Sequence, residues 1–324
     1  MENNGLVQAY VFDGSGVGSR ADWQDVEAWR PESGKLLWLH LDYTHPFVRQ
    51  WLKGRKGLDY LVVENLLAED SRPRSTPFHA GLLMGLRGVN LNPGADPEDM
   101  IAIRLWLDEH RVISTGKRIL ASIDNMAMAF EQGDGPRTTG EFLTQLCENV
   151  MDQIGNVIEE FEETFDDFEE SLLVEDGSVL RAQHSSLRRQ IIDLRRYLGP
   201  QREALGQLQV SKVDWLQEVD RLRLREVSDR LVRYVEELDS IRDRAVVLHE
   251  ELASRLSEQI NKRMYVLSLV TTIFMPLSFL TGLLGANVGG IPGSDSRWGF
   301  TIFVGIIIGV FILQMLYLKK MRWL

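Results

Sequence analysis

The chain has 324 residues, enough for one large or two modest folded units. Its net charge is −11, yet residues 261–324 hold six basic residues against one acid, so residues 1–260 carry −16. An acidic body of this kind argues against nucleic-acid binding and suits attraction of cations, while Cys147, the one cysteine, excludes an intrachain disulfide and fits a reducing compartment.

The opening "MENNGLVQAYVFDG" has no basic segment followed by an apolar core, so no signal peptide is expected. Residues 6–12, 35–41, 82–91 and 100–114 are rich in β-branched, aromatic and leucine residues bounded by "DG", "SG" and "NPG", and they read as strands. The last of them reads as a hairpin turning near Asp108–His110. "DWQDVEAWR" and "LDYLVVENLLAED" have helical spacing, which gives an α/β domain over residues 1–135. "GSGVGS" has the wrong spacing for a dinucleotide fingerprint and "STGKR" lacks a Walker frame, so both read as turns. "HLDYTH" brings His40, Asp42 and His45 close together at a strand end, a set able to bind zinc or to be coincidence among six histidines.

After "QGDGPRT" the chain becomes helical. Residues 138–175 and 179–209 read as long helices, separated at "EDG" and disturbed at Gly199–Pro200, in an acidic helical segment over 136–210. Within "EEFEETFDDFEE" (Glu159–Glu170), Phe161, Phe165 and Phe168 share one face and the charges read as solvated surface. Ser211 and Asp214 resemble the start of a capping box. From there a helix is expected through Leu284, about 107 Å long if it starts at Val213. It divides into a stalk, 211–263, and a first membrane span, 264–284. A loop, 285–299, a second span, 300–318, and a tail, 319–324, follow.

The two spans carry no charge over Met264–Leu284 and Phe300–Leu318, and each is long enough to cross ~30 Å of hydrocarbon. Lys262 and Arg263 precede the first, and Lys319, Lys320 and Arg322 follow the second. The positive-inside rule then puts both termini in the cytoplasm and the loop outside. Along the long helix Ser254, Ser257, Asn261, Met264, Ser268, Thr271, Met275, Ser278 and Gly282 recur at alternating spacings of three and four. Such a stripe is either a tight helix-packing face or the neutral lining of a pore shared by several copies. Pro276 deprives the Thr272 carbonyl of its helical partner, leaving it to pore water or to Ser and Thr side chains.

The first span ends "MPLSFLTGLLGAN", and the triplet Gly285-Ala286-Asn287 resembles the Gly-x-Asn signature of the CorA-type divalent-cation transporters. The α/β domain, acidic helices and long helix are similar to that family over nearly the whole chain. Within it, "GGIPG" (Gly289–Gly293) and the ending "RWL" (Arg322–Leu324) resemble the zinc-transporting ZntB branch, although Ala286 stands where that branch has valine and the Mg²⁺ branch methionine. The resemblance implies a funnel-shaped homopentamer in the bacterial inner membrane, surrounded by lipid and moving divalent cations, with no catalytic activity and no resident cofactor. It implies that the five copies of Asn287 form an outer ring holding the ion through its bound water, with the stripe lining the way inward. It further implies zinc uptake coupled to protons. A Mg²⁺, Co²⁺ or Ni²⁺ channel, zinc efflux and a membrane-anchored scaffold without flux are the alternatives. No Asp, Glu, His or Lys lies within either span, so Asp295 in the loop and His249 with Glu250 on the stalk are the titratable candidates for coupling.

Overall fold

The structure is a computed structural model describing residues 4–55, 57–69, 72–171, 177–286, 291, 296–321 and 323. It divides into two compact units, Met1–His249 and Glu250–Leu324.

The first unit is built on a seven-stranded sheet of β1 (Leu6–Phe12), β2 (Gly18–Arg20), β3 (Leu36–Asp42), β4 (Arg74–Phe78), β5 (Gly81–Gly88), β6 (Ile101–Leu107) and β7 (Arg111–Gly116), in the order β2-β1-β3-β7-β6-β5-β4. Only β3 and β7 pair in parallel. β3 is apolar on both sides, "LLWLHLD", because both faces of the sheet are covered. Leu37, Leu39 and Leu41 join Val26, Val48, Leu52, Val62 and Leu66 of helices α1 (Trp23–Ala28), α2 (Pro46–Gly54) and α3 (Tyr60–Leu66) in one core. On the alternate positions Trp38 lies 5.5 Å from Phe130 and 5.2 Å from Phe142, in α4 (Ala121–Glu131) and α5 (Thr139–Ser171).

Local chemistry sets the boundaries. Asp22 and Asp25 form a reciprocal capping box at α1. Asp108 closes the β6–β7 turn by accepting from the His110 N–H at 3.1 Å and from Arg111 at 2.9 Å. "GSGVGS" forms the β1–β2 connection and the first two residues of β2, with Gly14 and Gly16 at φ 86° and 99°. Expectation omitted four elements: β2, β4, α2 and α4. β4 contains Pro77 and survives because it is the last strand, where a missing N–H costs no ladder bond. α2 opens with a histidine cap, the His45 Nδ1 accepting from the Phe47 N–H at 3.2 Å.

The helical part corrects two readings. Helix α6 (Gly177–Val210) continues without a break past Gly199–Pro200, where Gly199 has no Cβ to meet the proline ring. The Gln201 amide oxygen then accepts from the Arg87 N–H at 2.7 Å, tying α6 to β5. Ser211 opens no helix; its hydroxyl donates to the Leu208 carbonyl at 2.7 Å and closes α6. Helix α7 begins later, at Glu218, where the Asp220 carboxylate accepts from the Gln217 N–H at 3.1 Å, and runs 67 residues to Leu284. Its first turns bury Leu224, Val227, Leu231, Val235, Leu238, Ile241, Ala245 and Leu248 at heptad-like spacing.

In the second unit the end of α7 is followed by α8 (Gly299–Lys320). Both helices are long and apolar enough to cross a membrane.

Candidate ion path along the apolar helices

Within the second unit, Leu269, Ile273, Leu277 and Leu280 of α7 are half-buried, and so are Phe303, Ile307, Val310 and Gln314 of α8. Spacings of three and four put each set on one face, and the two faces pack together. The Tyr265 hydroxyl donates to the Trp323 carbonyl, so α8 returns antiparallel beside α7.

This packing fixes where the polar stripe points. At about 100° per residue, Asn261, Met264, Ser268, Thr271, Met275, Ser278 and Gly282 centre roughly 180° away from the Leu269–Leu280 face. All seven are exposed, as are Ser254 and Ser257, and Met275 keeps 69% of its surface open. A Cβ on Gly282 would meet nothing within 4 Å. The small residues therefore do not serve packing between the two spans of one chain.

The hydroxyls have a defined polarity. Thr271 Oγ1 donates to the Leu267 carbonyl at 2.8 Å, and Thr272 Oγ1 donates to the Ser268 carbonyl at 2.7 Å. Each hydroxyl has one proton, so these oxygens turn only acceptor lone pairs outward. Lone pairs are what the O–H groups of an ion's water shell require. The same accounting means that neither threonine proton covers the Thr272 carbonyl opposite Pro276, which lies within α7 without ending it.

α7 stops before the signature triplet. Gly285 donates its N–H to the Thr281 carbonyl at 2.9 Å, and a Cβ there would lie 2.7 Å from that carbonyl oxygen, so the turn accepts only glycine without rearrangement. Ala286 is exposed at the end of this segment. Asn287, Gly289–Gly293 apart from Ile291, Asp295, Arg322 and Leu324 lie outside the described residues. Of the remaining titratable candidates, His249 is half-buried on α7 and Glu250 is exposed beside it.

His40, Asp42 and His45 do not converge on a metal. The His40 ring is buried, its Nδ1 2.9 Å from Ser114 Oγ. Ser114 gives its one proton to the Leu39 carbonyl at 3.0 Å, so His40 carries its own proton on Nδ1 and donates. Burial lowers its pKa to about 4, against a smaller opposing pull from Asp42. Asp42 is occupied by the Thr44 N–H and hydroxyl, at 2.8 and 2.7 Å, and His45 by its helix cap. No group of three His, Cys, Asp or Glu suited to a metal occurs among the described residues.

The acidic helix also departs from expectation. Phe161 and Phe165 are buried and Phe168 half-buried, as their spacing implies, but the carboxylates between them are not all free in solvent. Arg244 of α7 bridges Asp166 at 2.7 Å and Glu169 at 2.5 Å while lying 4.7 Å from the centre of the Phe165 ring. Arg223 grips Glu148 with two bonds, 3.0 and 2.6 Å, and Arg230 pairs with Asp152. Partners 75 or more positions apart leave no local signal in the sequence.

A family model described as "CorA-like Mg2+ transporter protein" matches residues 33–320. The chain is 39% identical over its full length to the divalent cation transporter CmaX of Pseudomonas aeruginosa, covering 98% of that protein. It is 36% identical to the zinc transport protein ZntB of Yersinia pseudotuberculosis, over 98% of this chain and 96% of the relative. The structure of full-length CmaX superposes with a TM-score of 0.88 at 38% identity, covering 100% of this chain and 99% of that one. The CorA magnesium transporter of Methanocaldococcus jannaschii shares the fold, with a TM-score of 0.81 at 16% identity, covering 98% of this chain and 99% of that one. The match over 33–320 and the full-length identity to CmaX place the chain in a family: it belongs to the CorA-like Mg2+ transporters.

Proposed function

We propose that this chain carries divalent cations, zinc foremost, across a bacterial inner membrane. Five copies surround a common path lined by the α7 stripe, and both termini face the cytoplasm. The observation that carries the reading is the stripe of Asn, Ser, Thr, Met and Gly turned away from α8, with the Thr271 hydroxyl oxygen presented as an acceptor. Two helices from one chain enclose too little space for a conduit, so that face needs further copies. The Asn287 amides hold the ion through its water at the outer mouth, and zinc enters with protons. Zinc as cargo is supported by the ZntB relatives and by the "GGIPG" and "RWL" stretches.

A second reading has its own support. The stripe has no imidazole or thiolate, the ligands zinc prefers, and neutral oxygens suit a hydrated hard ion such as Mg²⁺. Zinc flux into liposomes bearing the purified chain separates the two. Entry stimulated by an inward proton gradient and indifferent to excess Mg²⁺ supports coupled zinc uptake. Entry insensitive to pH and blocked by Mg²⁺ supports the channel, and absence of flux of either ion refutes transport.

A further inference from the structure

Along α7 five arginines are held by carboxylates of the same chain. Arg223 pairs with Glu148, Arg230 with Asp152, Arg242 with Asp239, Arg244 with Asp166 and Glu169, and Arg255 with Glu251. The cations that flank the apolar segments differ. Lys262 and Arg263, just before the first apolar segment, and Lys319 and Lys320, ending the second, are exposed, and none forms an ion pair among the described residues. Glu258, one turn before Lys262, is likewise exposed and outside any such pair.

These four cations are gathered at one end of the helix pair. Lys262 stands seven residues before Leu269, on the face of α7 that packs against α8. The Tyr265–Trp323 bond holds the turn after α8 beside the start of the α7 apolar segment, and the Trp323 N–H closes that turn on the Leu318 carbonyl at 3.0 Å. The cations therefore share one level, and none lies on the polar stripe.

Their surroundings indicate the counter-charge. Tyr265, Tyr317 and Trp323 surround the cations with amphipathic rings that stay partly open, at 44%, 63% and 42% exposure. Toward the middle of the helices Val270, Leu313 and Leu316 present open apolar surface. A ligand matching all three layers has an anionic head, an interfacial region and hydrocarbon tails.

We propose that Lys262, Arg263, Lys319 and Lys320 form a binding site for the headgroup of an anionic phospholipid, whose acyl chains lie along the exposed apolar surface of α7 and α8. The proposal rests on reading both helices as membrane spans, which alkaline carbonate extraction tests separately: release of the chain from membranes would overturn that reading.

The test is binding of phosphatidylglycerol and of phosphatidylcholine to the full-length chain in mixed micelles, read by native mass spectrometry. Phosphatidylglycerol is expected to bind and phosphatidylcholine not to compete. Replacing Lys319 and Lys320 together with glutamine should weaken binding about 25-fold, at roughly fivefold per charge, while the Lys→Arg pair retains it. If the glutamine pair fails to insert, the unmodified chain decides, since 1 M NaCl should release phosphatidylglycerol. Equal binding of the two lipids, an inert glutamine pair, salt-resistant binding, or displacement by millimolar inorganic phosphate would each overturn the proposal.

Discussion

His40 offers a quantitative test of how the seven-stranded sheet treats a buried titratable group. Replace it with glutamine, which is neutral at every pH, and compare the two proteins from pH 7.5 to pH 5. In the folded chain burial holds the imidazole pKa at about 4, below the ordinary value near 6.5. Because the folded value is depressed, the neutral form is favoured on folding. Its contribution is complete above pH 6.5 and is lost as pH falls toward 4, since the unfolded chain takes up a proton that the folded chain refuses. The 2.5-unit gap corresponds to about 3 kcal/mol in full, of which about 2 kcal/mol is gone by pH 5, before most carboxylates titrate. Urea unfolding of the detergent-purified chain, followed by tryptophan fluorescence, reads the difference. The natural protein should lose about 2 kcal/mol more than His40→Gln over this interval. Equal pH slopes would refute the buried neutral imidazole. Zinc that stabilised the natural protein but not the variant would restore the ligand role that the Ser114 hydrogen bond argues against.

Three further outcomes are expected. Asn287→Ala should reduce cation flux at least tenfold while the oligomer survives on size-exclusion chromatography, and unchanged flux would refute the asparagine ring. Ser278→Leu should block flux without disturbing the α7–α8 pair, whereas Leu277→Ala on the opposite face should lower thermal stability first; liposome uptake and melting curves on both variants separate the two faces. Gly155→Ala should destabilise the chain by about 1–3 kcal/mol, because the new Cβ would overlap the hydroxyl of Tyr234, which accepts from Arg230 at 3.2 Å; a melting curve identical to the natural protein's would refute that packing.

Much of this protein is written locally. Twenty-one uncharged residues from Met264 and nineteen from Phe300 define the apolar segments, because hydrophobicity over a bilayer's thickness needs no partner to be recognised. Strand β1 and the β6–β7 hairpin were legible from alternation and turn residues. The triplet at Gly285 and the three-and-four spacing of the α7 stripe are local as well. What failed locally had a tertiary cause. Pro200 did not end α6, and Ser211 closed a helix where its spacing suggested opening one. "HLDYTH" resembled a ligand set until Ser114, 74 positions away, claimed His40. The stripe's direction belongs to the same class. Periodicity says that its residues share a side, but only the packing of Leu269, Ile273, Leu277 and Leu280 against α8 turns that side outward. Spacing along one helix fixes relative angles, and absolute orientation requires a neighbour to pack against.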